Sequence, residues 1–232
     1  MPFWLIVLAW VSLGVAFACA LVIAMDISAG HRQHMWIMHL VWPITALYAG
    51  PLALWAYFRI GRLSTHKRMQ EAKQRGEKPA SQRKPFWQTV SVGVSHCGAG
   101  CTLGDIIGSW IVFAGGFAIA GISLWPEYIA DYILAFTLGI AFQYFSIAPM
   151  RGLNMREGII AALKADTLSL TAFEIGLFGW MAIIQFVLFP VKHLHPDTPV
   201  YWFLMQVGML LGFLTSYPVN VWLLKSGIKE PM

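Results

Sequence analysis

The sequence predicts an all-α fold, a polytopic membrane helix bundle of about six transmembrane helices. Hydrophobic residues make up 58% of the 232 residues and charged residues only 12%, whereas a soluble domain carries about 25% charged residues. Long blocks of the chain contain almost no charged residues. Each block has roughly 20 apolar residues and is therefore long enough to cross about 30 Å of hydrocarbon. Within lipid such a block must be helical, because its backbone amides find no water. The predicted spans are 3–25, 35–58, 104–125, 128–148, 168–189 and 200–224.

The basic residues predict the orientation. Nine of the sixteen Lys and Arg fall in the basic loop 59–85, three in the connection 149–166 and two after the sixth span. With six crossings, fourteen lie on one side and two, Arg32 and Lys192, on the other. Basic residues near span ends stay in the cytoplasm. We therefore expect a multi-pass protein of the bacterial inner membrane with both termini cytoplasmic. The net charge of +5 follows from this bias and from anionic lipids, so it indicates no nucleic-acid partner.

The chain is expected to form a single membrane domain over 1–232. The first span lacks a basic start and a small-residue cleavage site, so it is interpreted as a retained span and not a signal peptide. In the loop, 62–75 is a candidate surface helix on lipid headgroups. In the connection 149–166, Asn154 with Glu157 three residues later resembles a capping box, which predicts a short amphipathic cytoplasmic helix.

The region before the third span is unusually long. Residues 86–125 contain no Lys or Arg, yet 40 residues of helix would extend for about 60 Å, twice the hydrocarbon thickness. The sequence therefore predicts a separate, partly inserted half-helix over 86–103. Discontinuous helices of this kind occur where irregular backbone lines a cavity or a site.

A reactive set of side chains lies in the motif "SHCGAGCTLGD", residues 95–105. On a helix Cys97, Cys101 and Asp105 share one face, and His96 precedes the first thiol. Thiols with a histidine suit a soft ion, so copper or zinc is the candidate cofactor. Redox chemistry of the thiols is one alternative, and close packing of small residues is another. The adjacent ridge, which would let a neighbouring helix approach closely, is formed by Gly100, Gly104 and Gly108.

Two further acids complete a candidate transport pathway. Glu174 lies about two turns inside the fifth span, where an ionised side chain is costly and usually functional. Asp105 lies at a similar depth and is expected to face the same cavity. Asp166 is included in the pathway, although capping the N-terminus of the fifth span would be a sufficient structural role for it. The alternative for Glu174 is a protonated acid that hydrogen-bonds to a neighbouring helix.

A second candidate metal site lies at residues 30–39, "GHRQHMWIMH", on the predicted outer face. If the second helix begins near His31, five side chains fall within one arc of about 140°. Imidazole and thioether ligands together suit copper. The alternative is that they are ordinary interfacial residues. The five are His31, His34, Met35, Met38 and His39.

Several blocks of the sequence resemble a known family. They are "SHCGAGCTLGDIIGSW", "FQYFSIAPMRGL", "ALKADTLSLTAFEIGLFGWM" and "YPVNVWLLKSGIKEPM". Together they resemble the DUF4396 family of bacterial membrane proteins over roughly residues 88–232. The resemblance implies an integral membrane protein and no particular mechanism.

The sequence thus favours transport or handling of a soft transition-metal ion, most simply copper, with an outer His/Met cluster and an inner Cys/His/acid site. One alternative is a membrane thiol or redox protein, and another is a non-catalytic accessory subunit of a larger membrane complex. The expected partners are the lipid bilayer and either such a complex or further copies of the chain. No ATPase signature is present, so transport would be driven by gradients or by a partner.

Overall fold

The computed structural model describes residues 1–79, 83–191 and 193–229, and all of these except Met150 with their side chains. Over these residues the chain forms seven α-helices, with a short 3₁₀-helix, Gly61–Ser64, and a π-helical turn, Ile184–Leu188. The helices are α1 Phe3–Ser28, α2 Met38–Arg59, α3 His66–Gln74, α4 Phe86–Gly115, α5 Leu124–Arg151, α6 Met155–Ile183 and α7 Pro199–Lys225. All except α3 are long and apolar enough to cross a bilayer, which confirms the predicted all-α membrane bundle.

The second helix does not run straight. Its backbone leaves helical geometry at Gly50 (φ 49°, ψ −123°), immediately before Pro51. A positive φ is a conformation that glycine adopts readily and other residues rarely. The ring centroids of Trp42 and Tyr57 consequently lie only 5.7 Å apart, whereas fifteen residues of straight helix would separate them by about 22 Å. Thus α2 is a helical hairpin that turns back on itself at Gly50.

The segments that flank this hairpin meet each other. The backbone amide of His34 donates to the carbonyl of Ser64 (2.8 Å), and that of His66 donates to the carbonyl of Arg32 (2.9 Å). Arg62 forms an ion pair with Asp26, near the end of α1. The hairpin therefore enters the bundle and leaves it at the same end.

This geometry changes the predicted order of crossings. The other five long helices alternate in direction: Phe86 at the start of α4 lies beside Lys225 at the end of α7, and Ser12 of α1 donates to Gln206 near the start of α7 (2.7 Å). The N-terminus therefore lies at the end of the bundle opposite to the end of α7. The prediction that both termini share one side requires α2 to cross, whereas α2 turns back within the bundle. We call the end that carries the α1–α2 connection, the 60–85 segment and the end of α7 the basic end.

Two predicted breaks are absent. The separate half-helix over 86–103 was a wrong prediction, because α4 is continuous from Phe86 to Gly115. It ends where Gly116 adopts a positive φ of 63°, so its 30 residues extend for about 45 Å and not 60 Å. The short helix predicted in 149–166 is the first part of a longer one. Asn154 and Glu157 do form the predicted capping box, but α6 then continues into the bundle to Ile183.

The polar segment after the hairpin contains the surface helix that was predicted over 62–75, here α3, His66–Gln74. Residues 80–82 of the basic loop lie outside the described residues. Among the long helices, α1 packs against α2 and α7, and α4 is in contact with α2, α5, α6 and α7. The central position of α4 brings its side chains to the middle of the bundle.

Candidate functional site

One face of α4 is built for close approach. A Cβ atom placed on Gly100 would lie 2.6 Å from Cα of Gly139, and one on Gly108 would lie 2.9 Å from the backbone nitrogen of Asp131. Real Cβ atoms do not approach so closely, so α5 lies directly on this ridge, as predicted. The neighbouring face of α4, which carries Cys97, Cys101 and Asp105, is thereby turned toward α6 and α7.

The part of this face nearer the basic end meets a hydroxyl and amide cluster. Sγ of Cys97 lies 2.9 Å from Oγ of Ser169 on α6 and 3.9 Å from Oγ of Ser216 on α7. Nδ2 of Asn220 donates to both hydroxyls, at 2.6 and 3.0 Å. All four side chains are buried. Cys97 is therefore hydrogen-bonded to groups of α6 and α7.

Next to this cluster is a buried ion pair. Nζ of Lys229 lies 3.2 Å from Oδ1 of Asp166, and both side chains are fully buried. Lys229 follows α7 in a segment that folds back beneath the helix end. The suggestion that Asp166 caps a helix was wrong, because α6 begins eleven residues earlier, at Met155, and Asp166 lies in its interior.

Two acids and a thiol lie together at the middle of α4. Asp105 is close enough to Glu174 for the two charges to interact, and the Cys101 thiol faces Glu174. Both side chains are at least 99% buried. Apart from the weak thiol donor of Cys101 beside Glu174, their four oxygens have no hydrogen-bond partner among the described residues. The structure thus brings close together the two acids that were expected to face the same cavity.

Toward the opposite end the line of polar groups continues through residues that sequence reasoning missed. Asp131 of α5 interacts with Glu174 and Glu127, and Oγ of Ser109 lies 3.5 Å from Oδ2 of Asp131. The Ser109 hydroxyl is also 2.9 Å from the hydroxyl of Tyr201, which donates to Oε2 of Glu127 (3.4 Å). The signal for Asp131 was available, since an acid inside an apolar span is expected to be functional.

These groups form one buried polar file. It runs from the basic end through the Cys97 cluster to Cys101 and Glu174, then to Asp105 and Asp131, and ends at Tyr201 and Glu127. Its α4 members alone, from Cys97 to Ser109, extend for about 18 Å. Among the described residues, Lys229 is the only buried Lys or Arg side chain, and it pairs with Asp166. The other four acids therefore lie in the bundle without a basic partner at hydrogen-bonding distance.

The predicted inner metal ligands are not gathered at one point. His96 adjoins Cys97 in sequence but faces α5, where its Nε2 lies 2.7 Å from Oγ of Ser146. Cys97 faces α6 and α7, and Cys101 faces Glu174. Over residues 1–79, 83–191 and 193–229, no group of three His, Cys, Asp or Glu side chains is arranged to hold a metal ion.

The predicted outer cluster of histidines and methionines is also dispersed. The helix begins at Met38 and not near His31, so the five residues do not form a helical arc. His31 joins the Asp26–Arg62 pair, and Nε2 of His39 accepts from the amide of Gln33 (2.9 Å). Met38 and Met35 pack into an apolar cluster. All five residues lie at the basic end. They were predicted to lie on the opposite side of the membrane from the basic loop, but here they are on the same side of the bundle as that loop.

One aromatic pair at this end was not foreseen. His34 faces His66 across the paired segments, with ring centroids 5.2 Å apart, and both rings line a recess with Met69 and Lys73. His66 belongs to the basic loop. Only the folding back of α2 brings that loop to the α1–α2 connection.

Comparison with known proteins gives one match. Residues 86–229 match the family model described as "Domain of unknown function (DUF4396)", as the resemblance indicated. The matched part contains α4 to α7 and every member of the polar file. Searches of the curated proteins and of the solved structures found no match.

Proposed function

Since the chain belongs to the DUF4396 family, whose function is unknown, we propose an activity from the geometry of the polar file: the protein moves protons across the membrane. The observation that carries this proposal is the pair of Asp105 and Glu174, whose four carboxyl oxygens are buried in the middle of the bundle and, apart from the Cys101 thiol beside Glu174, have no hydrogen-bond partner among the described residues. A carboxylate there is costly unless a proton or another cation neutralises it. Two such groups side by side suit a relay that exchanges protons.

The remaining members of the file support the relay. Ser109 and Tyr201 supply hydroxyl groups, which both donate and accept hydrogen bonds, between Asp131 and Glu127. On the other side, Cys101 and Cys97 connect Glu174 with the serine and asparagine cluster. Neighbouring members of the file lie either on different helices or one helical turn apart. Small rotations of α4 to α7 would therefore bring them together or separate them.

The orientation is part of the proposal. With α2 turned back, fifteen of the sixteen Lys and Arg lie toward the basic end; the sixteenth, Lys192, belongs to the α6–α7 connection and lies outside the described residues. Basic residues are retained in the cytoplasm. We infer that the basic end is cytoplasmic in a bacterial inner membrane, which places the N-terminus outside.

Copper transport stays a prediction from the sequence. The proton relay is preferred because Asp105, Glu174 and Asp131 are close enough for their charges to interact. In contrast, Cys97, His96 and His39 each have a hydrogen-bond partner of their own. The thiol-redox and accessory-subunit interpretations likewise stay predictions, as does association with other chains.

The test is proton flux into proteoliposomes that contain the purified protein and a pH-sensitive dye, driven by a potassium diffusion potential. We expect the wild-type protein to acidify the lumen and Glu174→Gln and Asp105→Asn each to reduce the rate at least tenfold. Both changes retain shape and remove the exchangeable proton. Asp197→Asn, in the exposed α6–α7 connection, is the matched control and should leave the rate unchanged. Equal flux with wild-type, Glu174→Gln and protein-free vesicles would refute the proposal.

A further inference from the structure

The ammonium group of Lys229 lies in a cage of oxygen atoms from three helices. Its Nζ is 2.9 Å from Oδ1 of Asn220, 3.2 Å from Oδ1 of Asp166 and 3.4 Å from the carbonyl oxygen of Gly93. An ammonium group has three donors, and each therefore has one acceptor. The cage combines one carboxylate, one amide oxygen and one backbone carbonyl, which are hard oxygen ligands.

The second carboxylate oxygen of the cage lies on the side of α5. Oδ2 of Asp166 is buried and has no hydrogen-bond partner, and a Cβ placed on Gly139 would lie 3.5 Å from it. The Lys229 ammonium thus neutralises Asp166 while bonding to only one of its two carboxylate oxygens. The oxygens of the cage are supplied entirely by α4, α6 and α7, whereas the cation comes from the segment after α7.

The segment after α7 is held by backbone hydrogen bonds to the end of the helix. It turns at Gly227 (φ 71°), and the amides of Ile228 and Lys229 share the carbonyl of Leu223, both at 3.1 Å. The Ile228 side chain is 43% exposed and lines a recess of about 310 Å³ at the basic end, together with Lys164 and Glu157. The recess therefore borders the segment that carries Lys229.

We propose that this cage is a binding site for a small monovalent cation, either an alkali-metal ion or a primary ammonium ion, and that the chain's own Lys229 occupies it. When the segment after α7 lifts, a free cation replaces the lysine ammonium at Asp166. The tethered ammonium closes the polar file at its basic end. The proposal goes beyond proton movement and does not depend on it, because cation binding is measured on the detergent-solubilised protein without any transport.

The experiment is chemical rescue of Lys229→Ala, which removes the tethered ammonium and leaves room for a free one. Breaking a buried pair is expected to lower Tm by about 10 °C in choline chloride, whose cation is too large for the cage. Replacing choline by potassium, sodium or n-propylammonium should restore at least half of that loss. The wild-type protein should have the same Tm in all four salts.

Two matched variants test the site itself. Lys225→Ala removes a lysine from the same end of α7, whose ammonium lies 5.9 Å from the centroid of the Phe86 ring. This change should create no dependence on the cation. Asp166→Asn combined with Lys229→Ala removes the carboxylate and should abolish the rescue. A Tm of Lys229→Ala that is equal in all four salts would overturn the proposal, and so would failure of this variant to fold in every one of them. The proton-flux test with Glu174→Gln vesicles does not depend on whether the rescue succeeds or fails, so the two proposals can fail separately.

Discussion

Arg62 holds the carboxylate of Asp26 although thirty-six residues separate them: its Nε donates to Oδ2 (3.1 Å) and its Nη2 to Oδ1. The Tyr57 hydroxyl donates to the same carboxylate at 2.7 Å. The end of α1 is thereby joined to the far end of the α2 hairpin. This relationship exists only because α2 returns to the face of the bundle from which it entered.

The first prediction concerns topology. Because α2 turns back, the N-terminus and Gly76 should lie on opposite sides of the membrane, with Asp197 on the side of the N-terminus. Reporter fusions at the three positions measure this directly. A single cysteine introduced at His34 in a protein without its native cysteines should be labelled by an impermeant maleimide from the side of Gly76. An N-terminal reporter on the side of Gly76 would instead restore the six-crossing topology.

The second prediction concerns the ion pair. Arg62→Met should destabilise the protein by about 1–3 kcal/mol, because it leaves a half-buried carboxylate with fewer donors. Asp26→Asn should cost a similar amount, and the double variant should cost clearly less than the sum of the two. Thermal unfolding in detergent provides the four values of the cycle. Arg83→Met, which removes an exposed pair with Glu77, is the control and should change little. Additive losses would show that the pair is not coupled.

The third prediction concerns the turn of the hairpin. Gly50→Ala should cost about 1–3 kcal/mol, since a side chain is strained at a positive φ even though no atom lies within 4 Å of its Cβ position. Gly14→Ala, in the interior of α1 with equally open surroundings, should be neutral or slightly stabilising. If the two substitutions have the same effect on Tm, the backbone at Gly50 does not have the conformation described.

A fourth prediction addresses the contact of α4 with α5. A Cβ on Gly104 would lie 2.5 Å from Cα of Ala135, so Gly104→Ala should force the helices apart and cost about 1–3 kcal/mol. The matched change is Gly179→Ala on α6, where no atom lies within 4 Å. Comparison of their Tm values checks the packing without reference to function. A stabilising Gly104→Ala would contradict it.

The fifth prediction concerns Tyr201, which lies at the end of the polar file opposite to the basic end. Tyr201→Phe removes the hydroxyl between Ser109 and Glu127 and should slow proton flux several-fold, with a loss of stability of only about 1 kcal/mol. Tyr217→Phe is the control, because its hydroxyl only reaches the carbonyl of Trp87 (3.4 Å). Flux and Tm must be measured on the same preparations. Unchanged flux in Tyr201→Phe would remove the outer end of the relay.

Several features could be predicted because they depend on local or solvent properties. Apolar blocks match the hydrocarbon thickness and must be helical in lipid. The capping box of Asn154 and Glu157 needs only residues three apart. The ridge of Gly100, Gly104 and Gly108 is one face of a helix, and the closeness of Asp105 to Glu174 followed from their similar depth. The sequence by itself therefore determined the membrane class, the helical character of the apolar blocks and the capping of α6.

Other features were decided only by tertiary structure. The pairing of Asp166 with Lys229, sixty-three residues apart, and of Asp26 with Arg62 depends on contacts that no local pattern encodes. His96 separates from Cys97 because adjacent residues on a helix point about 100° apart, and only the packing of α4 between α5 and α6 gives each a different partner. The turn at Gly50 looked like an ordinary glycine within an apolar block. Its backbone conformation reverses the direction of α2, because one positive φ turns back a helix whose composition alone would let it cross.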